Sequence, residues 1–261
     1  MTFDFDGKTV LVTGAAGAIG KGIAEGFLRG GAKVFVTDLD PNGVDATAAE
    51  LARGGSCRGM AADVTRPDEV EAVVAAAAKA FDNRIDILVN VAGVVAQAPV
   101  EDITVEEWDR VFAVNCKGTF LFVKYVVPMM KAHKFGRIIN FSSKSGKTGS
   151  ALMAHYSAAK AAVIGMTQAL ACELADFGIN VNCLCPGITE NTGVWNSVSS
   201  GYVKNLNLPM DDVVKKFTAK VPLKRLARIK DLVAVTLFLA SEGGDYMTGQ
   251  AINVTGGREM H

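Results

Sequence analysis

Lys8 to Gly20 reads KTVLVTGAAGAIG, and the reading of this stretch decides the fold. Lys8–Val12 is a β-branched, apolar run without alternation, as a strand buried on both faces requires. It stops at Thr13-Gly14, and small residues then lead into a helical segment, Ala18 to Arg29, that Gly30-Gly31 ends. A strand turning through glycines into a helix is the opening unit of a parallel sheet. The same alternation continues outward. Lys33–Thr37 reads as a second strand, followed by helix beyond Pro41 with Gly54-Gly55 as its stop, and Arg58–Ala62 as a third strand. After Pro67 an alanine-rich helix runs to about Phe81, and Ile85–Val89 is the fourth strand. Trp108–Ala132 reads as one long helix, entered through Thr104 to Glu107, which match a capping box. Arg137–Phe141, Asn180–Cys185 and Ala251–Val254 complete the strands, with helices over Ala154–Phe177 and Arg228–Ala240. The expectation is an α/β fold: one doubly wound domain over residues 1–261, a parallel seven-stranded sheet flanked by helices, with a substrate-loop or lid segment at about 187–227.

Composition narrows the partners. Lys plus Arg and Asp plus Glu each total 27 in 261 residues, so the net charge is zero. A nucleic-acid partner would call for a basic patch or stripe, and none is expected. The bases between Lys215 and Lys230 read as a solvated helical face. Met1 to Lys8 is acidic and lacks the basic flank and apolar core of a signal peptide. No apolar run approaches the ~18 residues of a membrane span, the densest being Leu232–Ala240, so no membrane partner is expected. Five cysteines (Cys57, Cys116, Cys172, Cys183, Cys185) without CxxC spacing predict reduced, buried thiols in a cytoplasmic protein. His133, His155 and His261 form no metal-spaced pair, so no metal site is expected.

The turn Thr13-Gly14-Ala15-Ala16-Gly17-Ala18-Ile19-Gly20 sits where a pyrophosphate is held best, at the start of a helix with small residues that let the ligand reach backbone amides. A glycine cluster alone is weak; its place between a first strand and a first helix strengthens it. Asp38 ends the second strand about twenty residues on. A carboxylate there accepts from both adenosine ribose hydroxyls and repels a 2′-phosphate, and positions 37 and 39 carry no base, so NAD is expected over NADP.

Tyr156 and Lys160 stand one helical turn apart in Tyr-Ser-Ala-Ala-Lys, on one face. Ser143 lies just past the fifth strand, at the carboxyl end of the sheet where ligands bind. Together with the glycine turn, these residues resemble the short-chain dehydrogenase/reductase family. The likeness covers essentially the whole chain, including Asp63-Val64, Asn90-Val91-Ala92-Gly93, Asn115, Pro186-Gly187 and a terminal Gly256-Gly257. It implies an NAD(H)-dependent alcohol dehydrogenase with a proton problem to solve. Removing hydride from a carbinol requires its hydroxyl proton to leave as well. Free tyrosine has a pKa near 10, leaving only about one molecule in a thousand ionised at pH 7. A nearby ammonium and a positive nicotinamide ring favour the phenolate, and bringing it to about 7–8 corresponds to ~3–4 kcal/mol. Tyr156 is then the base in oxidation, Ser143 holds the substrate oxygen, and Lys160 also holds the nicotinamide ribose.

The resemblance further implies that Asn115 orders a relay water, that Asp63 and Val64 meet adenine, and that Gly14, Gly17, Ala18, Ile19 and Gly20 hold the phosphates. Asn90, Ala92 and Gly93 would line the cofactor, and Pro186, Gly187 and Ile188 would approach the nicotinamide. For Asn90 a purely sheet-stabilising role stands as an equal alternative. The sequence departs from the family pattern at Ala18, Val91, Asn191 and Thr255, Asn191 standing where many members have a threonine near the carboxamide.

Substrate recognition is expected after Pro186-Gly187, since loops over a rigid sheet carry it. Glu190, Asn191, Trp195 and Asn196 offer a carboxylate, amides and an aromatic face, which suits a polyhydroxylated molecule. The Trp-containing segment with Asn207-Leu208-Pro209 is similar to polyol dehydrogenases of the family, though Trp195 packing the lid is an equal alternative. Lys144 and Ser145 adjoin the catalytic serine, and Lys144 and Lys147 admit two readings, contact with an anionic substrate group or, the more common case, simple solvation. Two other readings remain: a 3-oxoacyl thioester reductase, for which the bases expected of NADP binding are missing, and a non-catalytic dinucleotide sensor, which need not keep Tyr156 and Lys160. The family likeness also implies a homotetramer.

Overall fold

Branched apolar side chains that cannot face water on either side set the sheet, and the helices follow from having to cover it. The computed structural model describes residues 3–193, 195, 196, 199, 203 and 209–261; Asn207 and Leu208, part of the polyol-type segment, lie outside them. The strands are β1 (Thr9–Thr13), β2 (Lys33–Thr37), β3 (Cys57–Gly59), β4 (Ile87–Asn90), β5 (Gly136–Phe141), β6 (Ile179–Pro186) and β7 (Ala251–Val254). Between them run α1 (Ala18–Arg29), α2 (Pro41–Leu51), α3 (Pro67–Ala80), α4 (Val105–Phe112), α5 (Gly118–His133), α6 (Ser145–Thr148), α7 (Ala154–Leu174), α8 (Met210–Ala219) and α9 (Ile229–Ala240). The seven strands pair in parallel in the order β3-β2-β1-β4-β5-β6-β7. Every residue of β1, β4 and β5 is buried, as helix-covered central strands require.

Two apolar layers flank the sheet. Ile23, Phe27, Val44, Leu232 and Leu239 bring α1, α2 and α9 onto one face. Val70, Val74, Phe122, Val126 and Leu174 bring α3, α5 and α7 onto the other. The strand order reverses between β1 and β4, so the chain leaves these neighbours in opposite directions and opens a crevice at their carboxyl ends. Thr13 and Asn90 face each other there.

Three details depart from the sequence-based expectation. The third strand is three residues long, Cys57–Gly59, not Arg58–Ala62. Beyond it the chain keeps only single contacts with β2, Met60 N donating to Val36 O and Ala62 N to Asp38 O, so the ladder ends early. The long helix begins as expected, with the Thr104 hydroxyl accepting from Glu107 N at 3.1 Å, but the Glu107 carboxylate faces His155 Nε2 at 3.8 Å. It also carries a π turn at Ala113–Lys117 that separates α4 from α5. Finally, Val105–His133 does reach the length and mean hydropathy (1.2) of a membrane span, which a search for unbroken apolar runs overlooks. Its apolar residues Leu121, Phe122, Val126 and Met130 are buried against the sheet layer, the ordinary setting of a core helix.

Candidate active site

The glycine turn owes its shape to a close approach. Gly14 adopts φ +67°, and a Cβ there would lie 2.7 Å from Ala92 N, so only glycine lets the turn after β1 pack on the chain leaving β4. The Thr13 hydroxyl fastens the same junction, accepting from Val91 N and Ala92 N at 3.1 Å each. Gly17 is the residue before α1, Ala18 and Ile19 open that helix, and Gly20 packs against Gly14. Ala18 is half-buried at the first helical position, so its methyl is accommodated by the turn. Asp38 leans back onto the turn, its carboxylate accepting from Ala16 N at 3.0 Å and Leu39 N at 2.7 Å. Each oxygen thereby keeps lone-pair capacity for a further donor.

Asp63 and Val64 follow the short third strand. Asp63 accepts from Thr65 N at 2.8 Å, and Val64 is buried against Gly118. Asn90 is 2% exposed and donates to Asn140 Oδ1 at 2.9 Å, while Asn140 donates to the Thr167 hydroxyl at 3.0 Å. Its amide nitrogen thus bonds within the sheet, while its buried Oδ1 has no partner.

The chemistry-bearing residues meet where β4, β5 and β6 end. Ser143 follows β5, Tyr156 and Lys160 share a face of α7, and all three line one cavity with Ile19, Gly93 and Asn115. Lys160 is 4% exposed and its ammonium donates to Phe141 O at 2.8 Å. Burial pulls it down to about 8, with the nearby thiols Cys183, Cys116 and Cys185 acting in the opposite direction. In the chain without cofactor, burial raises the Tyr156 phenol above its ordinary value, and the hydrogen bond with Ser143 opposes that rise. A buried phenolate is costly unless cations or donors stabilise it; in the chain itself Ser143 opposes the rise, and the Lys160 ammonium lies 5.8 Å from the centre of the Tyr156 ring.

The π turn explains Asn115. Its amide nitrogen donates to Val111 O at 2.9 Å and to Val94 O at 2.8 Å, fixing the loop after β4, while its buried Oδ1 has no partner. Such local widening of a helix often marks a functional position. Gly93 lies beside it: a Cβ there would fall 2.7 Å from Asn115 Oδ1 and 3.3 Å from Lys160 Nζ, so glycine keeps a polar space between the two. Cys183 and Cys185, two residues apart in β6, share a face of that strand, and the Cys183 thiol is pushed up by its hydrogen bond with Cys185 and by burial. No metal-ligating cluster occurs among the described residues.

Of the residues expected to meet substrate, Lys144, Ser145 and Trp195 line the cavity, as do Pro186, Gly187 and Ile188. Ser145 is buried, with its hydroxyl 2.8 Å from that of Ser150 and its amide donating to the Ser143 hydroxyl. Trp195 both faces the cavity and packs edge-on to Phe217, centroids 6.4 Å apart. Glu190 does not join them; its carboxylate lies 3.6 Å from Arg228 Nε and its amide bonds to Ala227 O. Lys147 acts on the buried Cys183 and Cys185 instead of the cavity. Asn191 is exposed at φ +58°, whereas the flanking Thr189 and Thr192 line the cavity. Sequence reasoning missed these two threonines, together with Met153, Phe217 and Arg258.

Residues 14–259 match the family model described as enoyl-(acyl carrier protein) reductase. The chain is 39% identical over 256 residues to the sorbitol dehydrogenase of Cereibacter sphaeroides, covering 98% of each. It is 39% identical over 254 residues to the galactitol 2-dehydrogenase of Agrobacterium fabrum, covering 97% of this chain and 98% of that one. A solved short-chain dehydrogenase/reductase from Brucella melitensis, described as a glucose/ribitol dehydrogenase, aligns over 100% of both chains with a TM-score of 0.88 and 34% identity.

Proposed function

This chain belongs to the short-chain dehydrogenase/reductase family, and on that premise we propose that it interconverts a secondary alcohol and a ketone using NAD, its substrate a polyol, sugar or sugar-acid derivative. The observation that carries the reading is the single cavity that Ser143 and Tyr156 line beside the buried Lys160, together with Ile19 of the helix that follows the glycine turn. The residues present fit a dinucleotide. Gly14 and Gly20 let the turn close, the half-buried Asp38 retains acceptor capacity for a ribose diol, and Lys160 has donors beyond the one given to Phe141 O. Asp38, with no base beside it in the sequence, supports NAD over NADP.

A bound nicotinamide would supply the hydride acceptor for oxidation of the carbinol carbon and the hydride donor for the reverse reaction. Ser143 donates to the substrate oxygen and steadies the charge that develops on it. Tyr156 takes the hydroxyl proton during oxidation and gives it back during reduction. Lys160 orients the ribose and offsets the phenolate. The unpartnered Asn115 Oδ1, across the space that Gly93 leaves open toward Lys160, is placed to hold a water that carries the proton outward. The names of the two curated relatives support a polyol. We further propose a cytoplasmic homotetramer, which light scattering after gel filtration would test.

One observation favours a second reading, a 3-oxoacyl thioester reductase. Val94, Val95, Met153 and Phe217 give the cavity an apolar side that a polyol does not need, and the matched family model is described by an acyl-carrier substrate. The deciding experiment follows NADH formation at pH 8–9 over polyols, sugar acids and steroids, and NADH or NADPH consumption with a 3-oxoacyl thioester. NAD-linked oxidation of polyols supports the proposal; turnover of the thioester alone replaces it.

A further inference from the structure

The cavity holds more positive charge than a neutral polyol requires. Lys144, next to Ser143, and Arg258, in the C-terminal tail, both line it. They are brought there by separate devices. Lys144 N donates to Pro186 O at 3.0 Å, which fixes the residue between β5 and α6 and beside the end of β6. Its ammonium has a long contact, 3.4 Å, with Gly149 O. Burial holds that ammonium below its usual range, the Arg258 guanidinium lowers it further, the Glu259 carboxylate acts the other way, and Lys220 adds repulsion.

Arg258 depends on a turn and a latch. Gly256 and Gly257 stand at φ +67° and +88°, which reverses the chain after β7. The tail is then tied to β7: Asn253 Nδ2 donates to Glu259 O at 3.1 Å and to His261 O at 3.2 Å. The Thr255 hydroxyl donates to Glu259 O at 3.2 Å and accepts from Glu259 N at 3.3 Å. Thr255, a departure from the family pattern in sequence, thus has a role here: a hydroxyl both gives and accepts, which a carboxylate cannot do. Glu259 itself has a side chain only 8% exposed, with Oε1 3.2 Å from Arg258 Nε and a buried, unpartnered Oε2. The Glu259 carboxylate thereby pairs with Arg258, and its charge also acts on Lys144 beside a part-buried cavity, where charges act more strongly than in water.

We propose that Lys144 and Arg258 form an oxyanion subsite that takes the terminal phosphate or carboxylate of the substrate, so that Ser143 and Tyr156 act on a secondary hydroxyl farther along the same molecule. Glu259 holds Arg258 in position while the subsite is empty. The inference deepens the dehydrogenase reading above and rests on it. Phosphate and carboxylate share the chemistry that guanidinium and ammonium groups recognise, two or three acceptor oxygens carrying negative charge.

The test compares KM values for sorbitol and galactitol with those for their terminal phosphates and for the corresponding aldonates. The parent is expected to show a KM for one acidic series at least about tenfold below that of the neutral parent polyol, an advantage that shrinks with added salt. Arg258→Gln and Lys144→Met should each lower the preference for the acidic over the neutral substrate, read as the ratio of their KM values, by about tenfold or more. Glu259→Gln should move that preference the other way. No preference for an acidic substrate in the parent, or equal shifts on neutral and acidic substrates in the variants, would overturn the subsite while leaving the dehydrogenase reading intact. If no alcohol is oxidised at all, that reading fails, and thermal shift with inorganic phosphate judges the subsite alone. Stabilisation of the parent that is lost in Arg258→Gln and Lys144→Met upholds it, and no stabilisation of the parent overturns it.

Discussion

Replacing Lys160 by methionine should flatten the alkaline side of the stability profile of the cofactor-free protein. The folded Lys160 titrates at about 8 against 10.5 in the unfolded chain, because burial penalises the ammonium. Between these values the unfolded state binds more protons than the folded one, so stability rises with pH. With those two pKa values the penalty is about 3 kcal/mol at pH 7 and falls below about 1 kcal/mol at pH 10. Lys160→Met removes the titration but also strips Phe141 O of its donor, a loss of about 1–3 kcal/mol that does not vary with pH. The absolute stabilities of parent and variant can therefore lie close together at neutral pH. Their difference should still change by about 2–3 kcal/mol between pH 7 and 10, or roughly 5–10 °C in Tm for a domain of this size. Urea or thermal denaturation of both proteins across that range measures it, and the titrations common to both cancel in the difference. Parallel curves would refute the claim that the ammonium is held in the interior at a cost. The variant should also lose turnover, since the group that strains the empty fold is the one proposed to serve the loaded one.

Three further expectations follow from the same geometry. Asp38→Ala should lower kcat/KM with NAD and raise it with NADP, changing their ratio by about tenfold or more; an unchanged ratio would remove Asp38 as the selector. Gly14→Ala should cost more than about 2 kcal/mol in urea unfolding, because it meets both the positive φ and the approach of Ala92 N at 2.7 Å; near-parental stability would contradict the close junction of the β1 and β4 ends. Spectrophotometric titration of the parent minus Tyr156→Phe should place the phenol above its ordinary value without cofactor and lower with NAD bound, the direction set by burial and then by the incoming positive charge. A phenol already depressed in the free protein would show that the burial argument is wrong.

Most of the fold could be read because the central strands are largely apolar on both faces and several helices, among them α1, α2 and α3, are bounded by a glycine or a proline. β1, β2 and β5 fall within a residue of their expected places. β3 did not, since an edge strand ends where its neighbour stops offering partners, and that depends on register with Val34–Val36, which composition does not encode. The π turn was invisible because Ala113–Lys117 is apolar and polar in the same proportions as its flanks. At the site, the spacing of Tyr156 and Lys160 placed both on one face, and the structure brings them to Ser143 and Asn115 in one cavity. What spacing does not carry is burial. It raises the Tyr156 phenol in the free chain and sets the depression of Lys160. Arg258 escaped notice for a related reason, since its approach to the cavity is created by two glycines and by Thr255, none of them basic or catalytic.

The most direct measurement is single-turnover oxidation of a secondary alcohol by Tyr156→Phe, with NAD affinity determined on the same preparation. Turnover should fall by about a thousandfold, within the usual range for loss of a general base, with NAD affinity within about threefold of the parent. Oxidation at the parental rate, with NAD bound normally, would contradict the assignment of that phenol as the proton acceptor and with it the proposed chemistry.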